Sequence, residues 1–251
     1  MALSDVLNNL SGARDALVTA ISEKGGSLAA TATLRQCAEA VTNLPEGGGG
    51  EVAGTLPGQI FYASFASDSE YAESGQILKK IGNPSFTVED GISCVLLGEG
   101  GFEIDYPVFS GGNQFTISYW GKVVNENDPG SVPVHQGDFS VNRAVFIAHN
   151  GGNFYVSNSN IATVAVISNK FVFHNYLVTY DAKKFRLFVD GQKLSESDYE
   201  FTLNIPRDPF YIGHNSQFIN QNPLYLANMR IFTRVLSSEE IAQLYGEFQN
   251  R

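Results

Sequence analysis

Residues 210–245 constrain the fold more than any other segment, because they carry a strand, a polar loop, a second strand and a capped helix in close succession. In the second strand, the letters MRIF at residues 229–232 alternate with a period of two, so odd and even positions face opposite ways. Ser237 then provides an N-cap, and Glu240, three residues later, completes a capping box. Gly246 ends the helix soon afterwards. This order predicts a β-domain that closes with a short helix.

The composition favours a large all-β domain. The chain has 251 residues, of which 43% are hydrophobic and only 17% charged, and it contains 18 Phe, 11 Tyr and 25 Gly. Aromatic residues favour strands, and glycines favour tight turns. The formal net charge of −10 argues against nonspecific binding to nucleic acid or to an anionic membrane. No run of about eighteen apolar residues occurs, so we expect no membrane insertion.

The N-terminal part, residues 1–44, reads as a separate helical module. Apolar residues recur there at alternating intervals of three and four, which is the pattern of a coiled-coil seam. Roughly forty residues cannot bury a sufficient core alone. We therefore predict that the module anchors or oligomerises the protein, with a homotrimer as the expected state and a helical hairpin docked on the β-domain as the alternative. The predicted oligomerisation contacts are Leu3, Val6, Leu10, Leu17 and Ile21.

A glycine-rich linker at residues 45–57 separates this module from a region that reads as strands. The segment 115–123 alternates between two faces. One face would hold Phe115, Ile117, Tyr119 and Val123, and the other Thr116, Ser118, Trp120 and Lys122. Asp190 and Gly191 lie between two alternating runs and predict a two-residue hairpin turn, since both turn residues need a positive φ. Strands of this kind predict a sandwich of two antiparallel sheets.

Several of these segments together resemble a known family. The letters IGH at residues 212–214, followed by LANMRIFTRVLSSEEI at residues 226–241, resemble the close of a laminin-G-like (concanavalin A-like) jelly-roll domain. Residues 60–65 resemble the family's opening strand, and residues 180–191 its central hairpin. The resemblance covers roughly residues 58–248. It implies a mainly β chain: a two-sheet antiparallel jelly-roll sandwich with a small helical N-terminal module.

The resemblance also bears on metals. In relatives, an acidic pair in the last strand often supports a calcium ion, and here that pair falls on Ala227 and Asn228. Acidic loops at residues 68–70 and 125–128 have oxygen ligands suited to calcium but no defined ligand array. Cys37 and Cys94 are too isolated to form a zinc site or a disulfide framework. We therefore predict no metal and no cofactor, with calcium kept as an alternative.

The N-terminal module resembles a short element of bacteriophage and prophage tail, fibre and head-decoration proteins. That element reads here as ISEKG at residues 21–25, then Thr33, Leu34, Val41 and Leu44. The resemblance implies a virion structural protein that assembles in the host cytoplasm. No charged lead followed by an apolar core occurs at the N-terminus, so we expect no signal peptide.

A search for catalytic patterns favours a protein that is not an enzyme. Glu103 and Asp105 begin the Glu-x-Asp pattern of laminarinase-like hydrolases, but residues 106–108 supply no third acid. Retaining hydrolysis needs two carboxyl groups about 5 Å apart, so Glu103 and Asp105 leave a glycosidase as a weaker alternative. No Gly-x-Ser-x-Gly motif occurs. Four scattered histidines lack metal-ligand spacing and are expected in loops or at sheet edges: His135, His149, His174 and His214.

Two places offer the aromatic and amide groups that bind sugars. One is Trp120, the only tryptophan, on the polar side of its strand with Tyr155 as an expected neighbour. Its alternative role is packing against the second sheet or a subunit interface. The other place is a loop dense in amides, which could equally be plain surface. Its candidate ligand-binding residues are His214, Asn215, Gln217, Asn220 and Asn222.

The sequence thus predicts three parts: an anchoring or oligomerisation module at 1–44, a linker at 45–57 and a laminin-G-like β-sandwich at 58–251. The favoured function is a non-enzymatic phage or prophage virion appendage, either fibre or decoration, whose sandwich binds a host-surface glycan or protein. One alternative is a purely structural virion decoration without a ligand. The other is a bacterial carbohydrate-binding or adhesion module.

Overall fold

The computed structural model describes residues 56–104, 114–125, 131–136, 145–150, 153–158, 160–198, 209–213 and 223–249. The helical module at 1–44 and its contacts Leu3, Val6, Leu10, Leu17 and Ile21 lie outside these residues, so they stay predictions. The amide-rich loop also lies outside, with His214, Asn215, Gln217, Asn220 and Asn222.

Within the described residues, the chain forms fifteen strands and then one helix. The strands are β1 (Gln59–Ala63), β2 (Lys79–Gly82), β3 (Ser85–Glu89), β4 (Ile92–Leu97), β5 (Gly100–Ile104), β6 (Phe115–Val123), β7 (Ser131–Gln136), β8 (Val145–Asn150), β9 (Asn153–Asn158), β10 (Asn160–Val166), β11 (His174–Tyr180), β12 (Lys184–Val189), β13 (Gln192–Asp198), β14 (Phe210–Ile212) and β15 (Leu224–Phe232). The helix is α1 (Ser238–Gln249). It continues through Gly246, so the predicted end of the helix at this glycine is wrong, because Gly246 does not adopt the positive φ of a helix C-cap.

The strands form two antiparallel sheets. Sheet I has eight strands in the order β13-β12-β11-β6-β15-β4-β3, and β1 also pairs with β15. Sheet II has seven strands in the order β10-β9-β8-β7-β14-β5-β2. The inner faces of the two sheets share one apolar core, which contains Phe102, Phe154 and Phe210 from sheet II and Phe61 and Tyr180 from sheet I. This architecture confirms the predicted mainly β, two-sheet antiparallel jelly-roll sandwich.

The alternation predicted for β6 is confirmed. Its inward residues join the shared core: Phe115, Ile117, Tyr119 and Val123. The alternate positions lie on the outer face of sheet I, where Trp120 packs with Cys94 and Ala227. Burial raises the pKa of the Cys94 thiol to about 11, so this cysteine is an unreactive part of the packing.

The helix α1 covers part of the outer face of sheet I. Ile241 and Leu244 pack there against Leu177 of β11 and Phe232 of β15. The predicted capping box is present at the start of the helix. The Ser237 amide donates to Oε2 of Glu240 over 2.8 Å, and the Glu240 amide donates to Oγ of Ser237 over 3.3 Å. These contacts fix the first turn of α1 against the sheet.

The predicted hairpin between β12 and β13 is also present. Asp190 has a φ of 50° and Gly191 a φ of 75°, as a type I′ turn requires.

Among the residues that the structure describes, no helix is both long and apolar enough to cross a membrane.

Candidate functional site

The outer faces of the two sheets differ in what they offer to a ligand. On sheet I, α1 packs over the middle strands. On sheet II, a line of polar and aromatic residues crosses four neighbouring strands. Lys79 of β2 pairs with Glu103 of β5, Glu103 pairs with Tyr211 of β14, and Tyr211 pairs with His135 of β7. We call Lys79, Glu103, Tyr211 and His135 the sheet II row, and it is the candidate functional site.

Strand alternation explains why these four side chains share one face. The residues on both sides of Tyr211, namely Phe210 and Ile212, are buried in the shared core. Phe102 and Ile104 likewise flank Glu103 and are buried. Residues directly opposite each other in antiparallel strands have Cβ atoms about 4.5–5.5 Å apart. The sheet II row is therefore continuous on the outer face.

The solvent exposure and the chemical type of the side chains change along the sheet II row. Nζ of Lys79 lies 2.8 Å from Oε1 of Glu103, with side-chain exposures of 65% and 19%. The rings of Tyr211 and His135 stack with centroids 5.9 Å apart and planes 19° apart. Tyr211 is half-buried, whereas His135 is 0% exposed. The row thus runs from an exposed cation, through a half-buried carboxylate and phenol, to a buried imidazole.

This arrangement suits recognition of a polar ligand. The Tyr211 phenol offers apolar ring surface and a hydroxyl, and the Glu103 carboxylate accepts hydrogen bonds from hydroxyl or amide groups. A retaining glycosidase would need a second carboxyl group about 5 Å from the first. Within the row, the neighbours of Glu103 are Lys79 and Tyr211. Asp105, the partner considered from the sequence, lies outside the described residues.

The structure places Trp120 differently from the sequence interpretation. Its indole is 4% exposed and stacks on Tyr245 of α1, with centroids 5.8 Å apart and planes 8° apart. Packing is therefore its role in this structure, although the partner is α1 and not the second sheet. Trp120 belongs to β6 of sheet I and Tyr155 to β9 of sheet II. The two residues thus lie on strands of different sheets, and alternation turns Trp120 away from sheet II.

The expected placement of the histidines is wrong for two of them. His135 is buried on a middle strand of sheet II. His149 lies in the interior, where its Nε2 is 2.9 Å from the Tyr119 hydroxyl, and burial lowers its pKa to about 3. His174 begins β11 and contacts Asp190, whose hydrogen bond raises the pKa of His174. His214 lies outside the described residues.

The two residues at which the sequence resemblance raised a calcium site, Ala227 and Asn228, are engaged in packing and hydrogen bonding. The Asn228 amide donates to the carbonyl oxygen of Ser64 over 3.1 Å, and Oδ1 of Asn228 accepts from the Tyr62 hydroxyl over 3.0 Å. Ala227 is buried beside Trp120. Neither residue therefore offers an acidic, unengaged oxygen to a hard cation. Across the described parts of the chain, no cluster of three or more His, Cys, Asp or Glu residues could hold a metal ion.

Lys79 and Tyr211 were missed at the sequence level. The only signal for Tyr211 is its place between two apolar residues in a short strand. Nothing in the linear sequence relates it to Glu103 or His135, because strand register alone brings them together.

Two antiparallel sheets over a shared aromatic core define a β-sandwich of the jelly-roll class. The chain belongs to the concanavalin A-like lectin/glucanase superfamily, because the laminin-G-type family model with that description matches residues 97–242, more than half of the chain. The predicted laminin-G-like resemblance is thus confirmed. No curated protein matches the chain in sequence.

Solved structures share the fold at low sequence identity. Domain 4 of AbnA, an extracellular GH43 arabinanase from Geobacillus stearothermophilus solved with arabinotriose, is 12% identical at a TM-score of 0.59. The match covers 74% of this chain and 98% of that domain. The binding domain of paraclostridial mosquitocidal protein 1 is 17% identical at a TM-score of 0.54, covering 77% of this chain and 53% of that one.

The binding domain of botulinum neurotoxin DC, solved with rat synaptotagmin II, is 13% identical at a TM-score of 0.58. The match covers 76% of this chain and 52% of that one. This chain therefore spans about half the length of both toxin binding domains. At these identities, the matches establish the fold alone.

Proposed function

We propose that this chain is a non-enzymatic bacteriophage or prophage virion appendage protein whose β-sandwich binds a host-surface glycan or protein. The sheet II row carries the proposal for the sandwich. It offers Tyr211 beside Glu103, with Lys79 paired to that carboxylate, on a face that α1 does not cover. Ligand-binding sites commonly combine an aromatic ring with neighbouring hydrogen-bonding groups.

The comparisons support recognition as the type of function. Domain 4 of AbnA was solved with arabinotriose, a trisaccharide, and the neurotoxin binding domain was solved with a protein, rat synaptotagmin II. A fold that serves both kinds of ligand is compatible with either one here, although fold by itself does not give function. The sheet II row favours a ligand rich in hydroxyl groups, because Glu103 and the Tyr211 hydroxyl can bind such groups directly.

The virion assignment rests on the N-terminal module. Residues 21–25 and the following Thr33, Leu34, Val41 and Leu44 resemble the short element of phage tail, fibre and head-decoration proteins. Self-association through this module would present several copies of the sandwich together. Multivalent presentation raises avidity by about 10²–10⁴ over a single site, so each site can be shallow.

The test of recognition is binding of the labelled full chain to a panel of bacterial strains and to a glycan array. We expect Tyr211→Ala and Glu103→Gln each to reduce binding at least tenfold. Leu194→Ala is the control, since Leu194 is an exposed apolar residue on β13, at the edge of sheet I, and not part of the row. Equal loss with Tyr211→Ala and Leu194→Ala would contradict the row as the site.

Two other outcomes would select the alternatives. A wild-type chain that binds no strain and no glycan, yet assembles on a virion, would be a structural decoration. Release of reducing sugar from a bound glycan, abolished by Glu103→Gln, would make the protein a glycosidase. A bacterial adhesion module would be indicated by surface display on the cell that produces it.

The test of self-association is molar mass by light scattering on the full chain. We expect a trimer for the wild type and a monomer for the double substitution Leu10→Asp and Leu17→Asp, which places charge in the apolar seam. A wild-type monomer would overturn oligomerisation by residues 1–44.

A further inference from the structure

A small polar pocket lies on the outer face of sheet I beside α1. Its floor comes from three strands and includes Trp120 of β6, Asn175 of β11, and Asn228 and Arg230 of β15. Leu244 and Glu247 of α1 form its wall. The pocket is on the opposite sheet from the sheet II row, so it is a separate place on the molecule.

One floor residue has an unused hydrogen-bonding atom. Asn175 is 1% exposed, and its Nδ2 donates to Oγ of Ser118 over 3.1 Å and to the carbonyl oxygen of Tyr119 over 3.4 Å. Oδ1 of Asn175 is buried and has no hydrogen-bond partner among the described residues. A buried acceptor left unpaired is unfavourable. A ligand hydroxyl that entered the pocket would supply the missing donor.

The end of α1 places an aromatic ring on the pocket. The ring of Tyr245 lies parallel to the indole of Trp120, with centroids 5.8 Å apart and planes 8° apart. It therefore occupies the indole face on which a flat ligand ring would stack. Without Tyr245, Trp120 would present that face next to Asn175.

The same end of α1 places a carboxylate on the pocket. Nη2 of Arg230 lies 2.9 Å from Oε2 of Glu247, and the guanidinium also lies over the Tyr62 ring at 4.9 Å from its centroid. Tyr62 in turn donates to Asn228. Arg230 is thus held in place from the sheet side, and only its carboxylate partner comes from the helix.

Side-chain contacts fix the start of the helix, whereas a glycine interrupts its last turns. Arg234 binds Glu240 through two contacts of 2.7 Å and 2.6 Å, and Ser237 caps the first turn. Gly246 lies near the end of the helix, where an added Cβ would meet no atom of the described residues within 4 Å. Space therefore does not require glycine there, yet glycine weakens a helix relative to alanine. The last turn also holds no basic residue to favour the helix C-terminus.

We propose that Trp120, Asn175, Asn228 and Arg230 form a second binding site, for an acidic saccharide, and that the end of α1 occupies this site in the absence of ligand. The saccharide ring replaces Tyr245 on the Trp120 face, and its carboxylate replaces Glu247 on Arg230. Its hydroxyl groups meet the amides of Asn175 and Asn228. The last turns of α1 unwind beyond Leu244 to admit it.

The ligand class follows from the two groups that α1 supplies. A neutral saccharide would replace the ring but leave Arg230 without a carboxylate in a largely buried position, which is unfavourable. A purely aromatic ligand would leave the two amides unused. A ring that carries both hydroxyl groups and a carboxylate satisfies all of these residues together.

Trp120 makes the site directly observable, because it is the only tryptophan in the chain. The full chain is titrated with glucuronate, galacturonate and sialate oligosaccharides, each paired with its carboxyl-reduced counterpart, while tryptophan fluorescence is recorded. We expect at least one acidic oligosaccharide to change the fluorescence, with its reduced counterpart at least tenfold weaker. Arg230→Met should weaken binding of that oligosaccharide at least tenfold.

Variants of the helix end separate this site from simple surface binding. Gly246→Ala should weaken binding about two- to fivefold, because it strengthens the helix that has to open. Tyr245→Ala and Glu247→Gln should each tighten binding, and circular dichroism with a thermal melt checks that both variants fold. If no acidic oligosaccharide alters the fluorescence of either variant, the proposal is wrong.

The sheet II row provides the remaining control. Tyr211→Ala lies on the other sheet and should leave the Trp120 signal unchanged. Failure of the Trp120 titration with retained cell binding through Tyr211 would overturn only the second site. A Trp120 signal that disappears in Tyr211→Ala would overturn the separation of the two sites.

Discussion

The Nδ1 atom of His174 lies 2.6 Å from Oδ2 of Asp190, and its Nε2 atom lies 2.7 Å from the carbonyl oxygen of Asn169. Both partners are acceptors, so the geometry fits an imidazolium that donates from both ring nitrogens. Oδ1 of Asp190 also accepts from the Asn175 amide over 2.9 Å. His174 therefore ties the segment before β11 to the hairpin turn at Asp190.

This contact predicts a pH dependence of stability. The hydrogen bond to Asp190 raises the pKa of His174 in the folded state. Its contribution is therefore fully present below the unfolded pKa of about 6.5 and is lost as the pH rises through the higher folded pKa. We expect His174→Asn to lower the melting temperature most at pH 6 and least at pH 9. An NMR titration that places the His174 pKa at or below the unfolded value would contradict this.

His149 predicts the opposite sign. Burial lowers its pKa to about 3, so folding requires the neutral ring. Its contribution is present above the unfolded pKa and is lost as the pH falls, at about 1.4 kcal/mol for each pH unit between roughly 6.5 and 3. In His149→Gln, the free energy of unfolding should fall less steeply between pH 6 and pH 4 than in the wild type. Urea titrations at each pH measure the two slopes, and equal slopes would rule out the role of His149.

Two buried tyrosines form a matched pair. The Tyr119 hydroxyl is hydrogen-bonded to Nε2 of His149, whereas the Tyr176 hydroxyl has no hydrogen-bond partner in the part of the chain that the structure describes. Tyr119→Phe leaves the imidazole unpaired and should lower the free energy of unfolding by about 1–3 kcal/mol. Tyr176→Phe removes an unsatisfied group and should be neutral or stabilising. Chemical denaturation of both variants measures the difference, and a greater loss with Tyr176→Phe would reverse the assignment.

The capping box of α1 predicts two effects on the helix. Ser237→Ala should destabilise the protein by about 1 kcal/mol. Hydrogen bonding to Arg234 lowers the pKa of Glu240 to about 2. The Glu240 contribution is therefore present above its unfolded pKa of about 4.3 and is lost as the pH falls towards 2. Thermal melts of Glu240→Gln should differ from the wild type at pH 6 and converge with it near pH 2. Gln243→Ala, an exposed position in the same helix, is the control.

Much of the fold was predictable because the signals are local. The alternation in β6 and β15, the Asp190-Gly191 turn and the Ser237–Glu240 box each depend on residues a few positions apart. These elements depend on interactions between residues that are close in the chain, so the residue types in the sequence predict them directly.

The candidate site was much less predictable. Lys79, Glu103, Tyr211 and His135 come from four strands that are far apart in the sequence. In the sequence, Glu103 belongs to a hydrolase-like Glu-x-Asp pattern and His135 is an isolated histidine. Nothing in their linear order predicts that the two residues lie close together. A shift of one residue in the register of β14 would turn Tyr211 into the core, and no local pattern reports that register.

The environment of Trp120 was predictable in part from the sequence and in part only from the tertiary structure. Alternation correctly assigned it to the face opposite Phe115 and Tyr119. The ring that covers it belongs to Tyr245, which lies on α1 at the other end of the domain sequence. His149 was misplaced for the same reason, since its partner Tyr119 comes from the facing sheet.

The sequence by itself therefore determined the strands, their buried faces, the capped helix and the family, because spacing and capping act between near neighbours in the chain. Only the tertiary structure decided which strands are adjacent, that the sheet II row is continuous, and that Tyr245 and Glu247 lie on Trp120 and Arg230. Those outcomes depend on strand register and on the packing of distant elements, where the burial of many side chains is optimised together.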